Sequence, residues 1–200
     1  MRTASIKPLV AVVAGLGIAG CSSGDEGTAY PAQASVSSAS QQAMASQLPP
    51  RPAELPIAGT DPCQLLGQAQ FDALKVTSVP RKAADPQDGP TCVLDANQTE
   101  PFHAFHLRVV GADLQEWLTG KRRKNSVTTT PTSVEGYPAL AGYRASGTPS
   151  DCEVLVGVAK GQTLASQAFA ITAGGFSRPQ LCELASKAAG LAVQDLKARS

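Results

Sequence analysis

The chain has 200 residues and a formal net charge of +1, with 42% hydrophobic and 16% charged residues. This composition supports one hydrophobic core of ordinary domain size and excludes a chain that stays disordered throughout. The near-neutral charge predicts no nucleic-acid partner, because phosphate backbones are bound by strongly basic surfaces.

The N-terminal segment predicts export. Arg2 and Lys7 precede an apolar run at residues 9–18, and small residues lead up to Cys21. A membrane-spanning helix needs about 20 apolar residues, whereas this run is shorter and contains glycines. Residues 1–20 are therefore predicted to be a signal peptide that is removed.

The residues around the expected cleavage site resemble the lipobox of bacterial lipoproteins, which is an aliphatic residue, two small residues and a cysteine. The matching residues are Ile18-Ala19-Gly20-Cys21. The resemblance implies a diacylglycerol on Cys21 and cleavage before it, and two or three acyl chains anchor a protein stably. We expect a lipid-anchored protein on the extracytoplasmic face of the cell membrane. The alternative is a conventional signal that happens to be cut before a cysteine.

The segment after Cys21 is rich in Ser, Ala, Gln, Gly and Pro and has no apolar periodicity. Such a segment does not bury enough apolar surface to offset its ordering entropy. We therefore predict a disordered tether over residues 21–59 and a single extracytoplasmic domain over residues 60–200.

The predicted elements of that domain alternate between helical and strand periodicity. In chain order, they are a helix at 62–74, strands at 76–80, 91–96 and 102–110, and a short helix at 112–119. Strands at 127–130, 140–146, 152–159 and 163–172 follow, and the last helix covers 178–198. This order predicts an α+β fold in which a mostly antiparallel sheet is covered mainly on one face by helices.

Four cysteines besides Cys21 remain in a chain predicted to be exported, so two disulfides are expected, with three pairings open. Position along the chain favours pairing neighbours, Cys63 with Cys92 and Cys152 with Cys182. The alternative of a zinc site with four thiolates lacks any C-x-x-C pair.

A family resemblance rests on the lipobox, the Ser/Ala-rich tether, the motif Asp-Pro-Cys-x-Leu-Leu from Asp61, and a second cysteine about thirty residues later. Together with the segments at 152–158 and 181–185, these features resemble the actinobacterial lipoproteins that carry a DUF3558-like domain of unknown function. The likeness covers about residues 60–198, although Cys92-Val93-Leu94 stands where many relatives have Cys-x-Trp. The resemblance implies a Mog1/PsbP-like sandwich and carries over no catalytic residue.

Candidate catalytic groups are few. The chain contains two histidines, His103 and His106, and three positions along a strand place them on opposite faces. Five carboxylates are candidates for acid–base catalysis, although solvation at the surface explains them equally well: Asp113, Glu116, Glu135, Asp151 and Glu153. We therefore expect a protein that is not an enzyme and has no metal or cofactor.

One run of four basic residues stands out: Lys121, Arg122, Arg123 and Lys124. These residues are either a solvated loop that completes the C-terminus of the short helix or a contact to anionic headgroups or wall polymers.

Three functions remain open for the domain. The first is a non-catalytic module that binds an envelope protein or an apolar ligand. The second is an envelope hydrolase with two facing carboxylates, and the third is a structural spacer of a membrane complex.

Overall fold

Runs of apolar residues build the central strands of this fold, and successive side chains on a strand point to opposite faces. The computed structural model describes residues 38–200. The strands in this part of the chain are β1 Arg81–Asp85, β2 Gly89–Ala96, β3 His103–Val110, β4 Val127–Val134, β5 Tyr137–Arg144, β6 Asp151–Ala159 and β7 Gln162–Ala170. The α-helices are α1 Ser38–Ser46, α2 Gln68–Leu74, α3 Gln115–Leu118 and α4 Arg178–Arg199.

The strands form one seven-stranded sheet in the order β1-β2-β3-β7-β6-β5-β4, and every pair is antiparallel. Two meanders, β1 to β3 and β4 to β7, are joined where β3 pairs with β7. The prediction of a mostly antiparallel sheet with helices packed on it is confirmed.

The main core lies between this sheet and α4, and we call this side of the sheet the α4 face. The helix begins after Ser177, whose Oγ accepts a hydrogen bond from the N–H of Gln180, as an N-cap side chain does. One side of α4 is apolar and fully buried, as predicted from its spacing. The core residues of α4 and the sheet include Leu181, Ala185, Ala188, Ala192, Phe105, Val154, Val156 and Leu164.

The opposite side of the sheet, here called the loop face, carries a smaller apolar cluster. It is covered at one end by α3 and α1, and its residues are Val110, Leu114, Leu118, Leu140, Leu155 and Ala165, with Met44, Ala45, Leu48 and Trp117 packed against them. The long helix therefore covers one face, while short helices cover only part of the other.

Both predicted disulfides are present. Cys63 is bonded to Cys92 and Cys152 to Cys182, with Cα–Cα distances of 4.9 and 5.0 Å. One bridge ties the segment before α2 to β2, and the other ties β6 to α4 across the main core. The pairing of neighbours in sequence is confirmed.

The predicted helix at 62–74 is wrong in its continuity. A 3₁₀ helix covers Pro62–Gln64, and α2 begins only after Gly67, which is extended at φ −104° and ψ −174°. The adjacent residues Leu65 and Leu66 are both buried in the main core. A break between the two helical segments allows both to point inward, because consecutive residues on one α-helix diverge by about 100°.

The first predicted strand, at 76–80, is also wrong. Val76 is buried in the core, but Val79 is 83% exposed, and the strand that pairs with β2 is β1. Because β1 is an exposed edge strand, it lacks the apolar alternation on which the prediction relied. Turn chemistry sets its position instead: Asp85 Oδ1 accepts hydrogen bonds from the N–H groups of residues 87 and 88.

The hairpin between β4 and β5 is longer than the predicted strands at 127–130 and 140–146. Its two-residue turn is Glu135-Gly136, with φ values of 53° and 83°. Positive φ at both central residues is typical of the type I′ turn, which usually contains Asn or Asp before Gly. Because Glu135 takes the place of Asn or Asp, the sequence did not predict this turn. Pro131 is accommodated because β4 is an edge strand.

The folded part begins before the expected boundary at residue 60. Residues 38–46 form α1, Leu55 is 3% exposed, and Ile57 is fully buried. The N–H of Leu55 donates to the carbonyl of Val158, and the N–H of Ile57 donates to Gln162 Oε1. The prediction that residues 21–59 are a disordered tether is therefore wrong from residue 38 onward.

The predicted signal peptide at 1–20, Cys21 and the tether up to residue 37 lie outside the described residues. Within residues 38–200, no helix combines the length and the apolar character needed to cross a membrane.

Candidate functional site

A cluster of charged residues occupies the middle of the loop face of the sheet. Three neighbouring strands contribute Arg108 from β3, Gln167 from β7 and Glu153 from β6, and Asp85 and Asp88 come from the β1–β2 turn. Strand alternation places Arg108 on the loop face, since its neighbour Leu107 belongs to the main core. These five residues are called the Arg108 cluster below.

Arg108 is 6% exposed and is surrounded by acceptors. Its guanidinium forms an ion pair with Glu153 and donates a hydrogen bond of 3.1 Å to Gln167 Oε1. The distances from its Nη1 to Asp85 Oδ2 and Asp88 Oδ2 are 3.7 and 3.6 Å. Several carboxylates thus compensate one buried cation, which a charge removed from water requires.

The cluster shifts the pKa of its carboxylates in opposite directions. Burial raises the pKa of Glu153, and the attraction of Arg108 offsets this shift only in part. Burial also acts to raise the pKa of Asp85, but hydrogen bonds from the backbone of residues 87 and 88, together with Arg108, leave it below its ordinary value.

The basic loop, residues 121–124, is attached to this cluster through Arg122. Its guanidinium forms an ion pair with Asp88 and donates to the carbonyl oxygen of Gln87 at 3.2 Å. The guanidinium carbon also lies 5.1 Å from the ring centre of Trp117, within the range of a cation–π contact. Asp88 is therefore shared between Arg108 on the sheet and Arg122 in the loop.

A groove of about 810 Å³ lies beside this loop. We call it the Trp117 groove, and its lining residues are Gln87, Asp88, Gly111, Ala112, Asp113, Glu116, Trp117, Lys121, Arg122, Arg123, Lys124 and Gly161. The structure thus gathers all four residues of the basic run at one groove. Its lining contains acidic and basic side chains and one aromatic ring, that of Trp117.

The five candidate carboxylates fall into three places. Asp113 and Glu116 line the Trp117 groove, whereas Asp151 and Glu153 line a second cavity of about 120 Å³ on the loop face. Glu135 is remote from both, in the β4–β5 turn, where it accepts a hydrogen bond from Gln194 of α4.

A family model described as a protein of unknown function, DUF3558, matches residues 16–195. The chain belongs to the DUF3558 family. The matched range includes both disulfides, the Arg108 cluster and the Trp117 groove. No curated protein and no solved structure matches the chain.

The two histidines of this DUF3558 protein lie on opposite faces of the sheet, as predicted. His103 packs edge-to-face against Phe105 and Phe176, with ring centres 5.2 and 5.4 Å away. His106 lies on the loop face, 4.5 Å from the ring centre of Phe169. The two imidazoles are therefore not brought together at one site.

Burial lowers the pKa of both histidines; Lys75 lowers that of His103 further, and Arg108 that of His106. The Nε2 atom of His103 is buried and has no hydrogen-bond partner. Burial therefore disfavours the protonated form of His103 in the folded DUF3558 domain, although the contact of its Nδ1 with the Pro101 carbonyl offsets part of this effect.

Acidification is expected to destabilise the fold through His103. The unfolded chain takes up a proton near the ordinary histidine pKa of 6.5, whereas the folded chain resists it. This contribution to stability is complete above about pH 6.5 and decreases as the pH falls below that value, by at most about 1.4 kcal/mol per pH unit. Urea unfolding of wild type and His103→Leu at pH 7.5 and 5.5 measures the difference. Equal losses of stability on acidification in the two proteins would contradict it.

No group of three or more His, Cys, Asp or Glu residues in the part of the DUF3558 chain that the structure describes is arranged to hold a metal ion.

The basic run is visible in the sequence, but its contacts with Asp88 and Trp117, and the pairing of Asp88 with Arg108, are not. The signal for Arg108 was an arginine between Leu107 and Val109 in an apolar strand. Such a residue needs a compensating partner if it is buried, but the sequence does not indicate which carboxylates lie opposite.

Proposed function

We propose that this DUF3558 protein is a cell-envelope lipoprotein, anchored on the extracytoplasmic face of the membrane through Cys21, whose domain is a non-catalytic binding module. The basic start, apolar run and lipobox-like residues before Cys21 support the anchor. The Trp117 groove supports the binding role.

The groove is the observation that carries the proposal. Its volume of about 810 Å³ lies in the range of about 300–1,000 Å³ that ligand sites occupy. Tryptophan and arginine are the side chains most enriched at energetically dominant positions of protein interfaces, and Trp117 and Arg122 lie in contact here. The charged lining fits a polar segment of an envelope protein better than an apolar ligand.

The hydrolase alternative would use Asp151 and Glu153, which lie two residues apart on the loop face of β6. Both are already engaged: Glu153 pairs with Arg108, and Asp151 accepts a hydrogen bond of 2.8 Å from Gln167. Their cavity of about 120 Å³ is smaller than ordinary ligand sites. This arrangement favours a structural role for the pair.

We also propose that the fold is related to the Mog1/PsbP-like sandwich. The family resemblance suggests it, and an antiparallel sheet with helices on both faces is compatible with it. Superposition of an experimental structure of this chain on members of that fold tests the relation.

Photo-crosslinking in cells tests the binding module. We expect a photoreactive residue at Gln87, which is exposed and lines the groove, to capture one discrete envelope protein. The matched control is the same residue at Ala69, an exposed position of α2. Failure to capture any species at position 87, or capture of the same species at both positions, would overturn the proposal.

A further inference from the structure

The chain enters the described domain beside the basic loop. Met44, Ala45 and Leu48, which lie in or just after α1, pack on the same small apolar cluster as Trp117 of α3. The basic loop follows α3 directly. The N-terminal entry of the chain and the loop are thus neighbours on the loop face, whereas α4 covers the other face.

The loop has a defined conformation that leaves its outer lysines exposed. Arg122 is attached to Asp88 and Trp117, and the N–H of Lys121 donates to Glu116 Oε2. The side chains of Lys121 and Lys124, on either side of the attached segment, are both exposed. Two cations are therefore presented together without the entropic cost of ordering the loop first.

Few residues separate the described domain from the proposed anchor. About 17 residues separate Cys21 from Ser38, and a chain of that length spans at most about 60 Å when fully extended. Attachment at Cys21 therefore keeps the loop face within reach of the bilayer surface. That surface carries a negative potential where anionic lipids are present, and a lysine near it gains about five-fold in affinity.

We propose that Lys121 and Lys124 contact an anionic lipid surface when the chain is anchored through Cys21, so that the loop face is turned toward the membrane. This inference rests on the proposed lipid anchor. It deepens the proposed function, because it places the Trp117 groove next to the bilayer, where a membrane-associated partner would meet it.

The test uses the chain from Cys21 onward, coupled through the Cys21 thiol to a maleimide lipid in vesicles. The four other cysteines are held in disulfides, so coupling is specific and does not depend on lipidation in cells. Trp117 is the only tryptophan, and energy transfer from it to a dansyl headgroup reports how close the loop face is to the bilayer. The vesicles are phosphatidylcholine with or without phosphatidylglycerol.

We expect stronger energy transfer with phosphatidylglycerol, and its loss in about 1 M salt, where the Debye length is about 3 Å. Lys121→Gln/Lys124→Gln should lower the equilibrium constant for surface contact about 30-fold, at about five-fold for each lysine. The matched control, Lys75→Gln/Lys187→Gln, removes the same charge beside α2 and from α4, and should leave the transfer unchanged.

Equal transfer from the two vesicle types, or equal losses in the two double variants, would overturn the contact. A change in Trp117 emission with soluble polyphosphate but not with phosphatidylglycerol would also overturn it, because the surface would then bind a wall-type polymer. Absence of lipid on Cys21 in cells would overturn the proposed anchor alone and leave the vesicle result as it stands.

Discussion

Replacing Cys21 by alanine is expected to abolish lipid attachment and release the processed protein from the membrane fraction. The thioether to diacylglycerol requires the cysteine sulfur. Each buried CH₂ of an acyl chain contributes about 0.8 kcal/mol to membrane binding, so the loss of two chains outweighs any contact of the folded domain. Metabolic labelling with an alkyne fatty acid, followed by fractionation, measures both effects.

The control for this experiment is Ser22→Ala, which changes the next residue and should keep the label and the membrane location. Mass analysis separates Cys21→Ala molecules that retain residues 1–20 from those that have been cut. A cut, unlabelled Cys21→Ala protein that stays in the membrane fraction would contradict the anchor. Fatty-acid label on the Cys21→Ala chain would contradict it equally.

Replacing Arg108 by methionine is expected to lower the free energy of unfolding by about 3 kcal/mol. The substitution leaves Glu153, Asp85 and Asp88 without their shared cation, and removing one partner of a buried ion pair typically costs about 3–5 kcal/mol. Methionine keeps most of the aliphatic volume, so the change reports mainly on charge. Urea unfolding followed by Trp117 fluorescence provides the measurement.

A double-mutant cycle isolates the pair. The double variant Arg108→Met/Glu153→Gln should lose less free energy of unfolding than the two single variants lose in sum. The expected difference is about 1 kcal/mol or more. The matched control is Arg81→Met, which removes an ion pair to Asp95 whose arginine side chain is 61% exposed and should cost about 0–1 kcal/mol. Equal costs for Arg108→Met and Arg81→Met would show that the cluster does not stabilise the fold.

The Arg108 cluster also connects the sheet to the candidate site. Asp88 forms one ion pair with Arg108 and another with Arg122. Loss of Arg108 is therefore expected to loosen the basic loop as well as the sheet.

The differences between the predicted and observed elements arise where a local pattern is weak or unusual. The strands β2, β3, β6 and β7 lie close to their predicted places because runs of apolar residues predict buried strands. The edge strand β1 has no such pattern, since pairing with β2 defines it. The β4–β5 turn escaped prediction because Glu135 occupies a position where asparagine or aspartate is usual.

The candidate site was only partly predictable for the same reason. The run of four basic residues and the candidate carboxylates can be recognised from the sequence without a structure. Whether Arg122 is free in solvent or attached to Asp88 depends on residues that are 34 positions apart. No local pattern carries that information.

The sequence by itself determined the antiparallel α+β class and the buried stripe of α4, and it favoured the pairing of Cys63 with Cys92 and of Cys152 with Cys182. These features follow from local periodicity and from spacing along the chain, which covalent geometry dictates. Only the tertiary structure decided that Leu55 and Ile57 belong to the core, that Arg108 is buried among carboxylates, and that the basic loop borders a groove. Those features depend on strands and loops that are distant in sequence and come into contact only in the folded sheet.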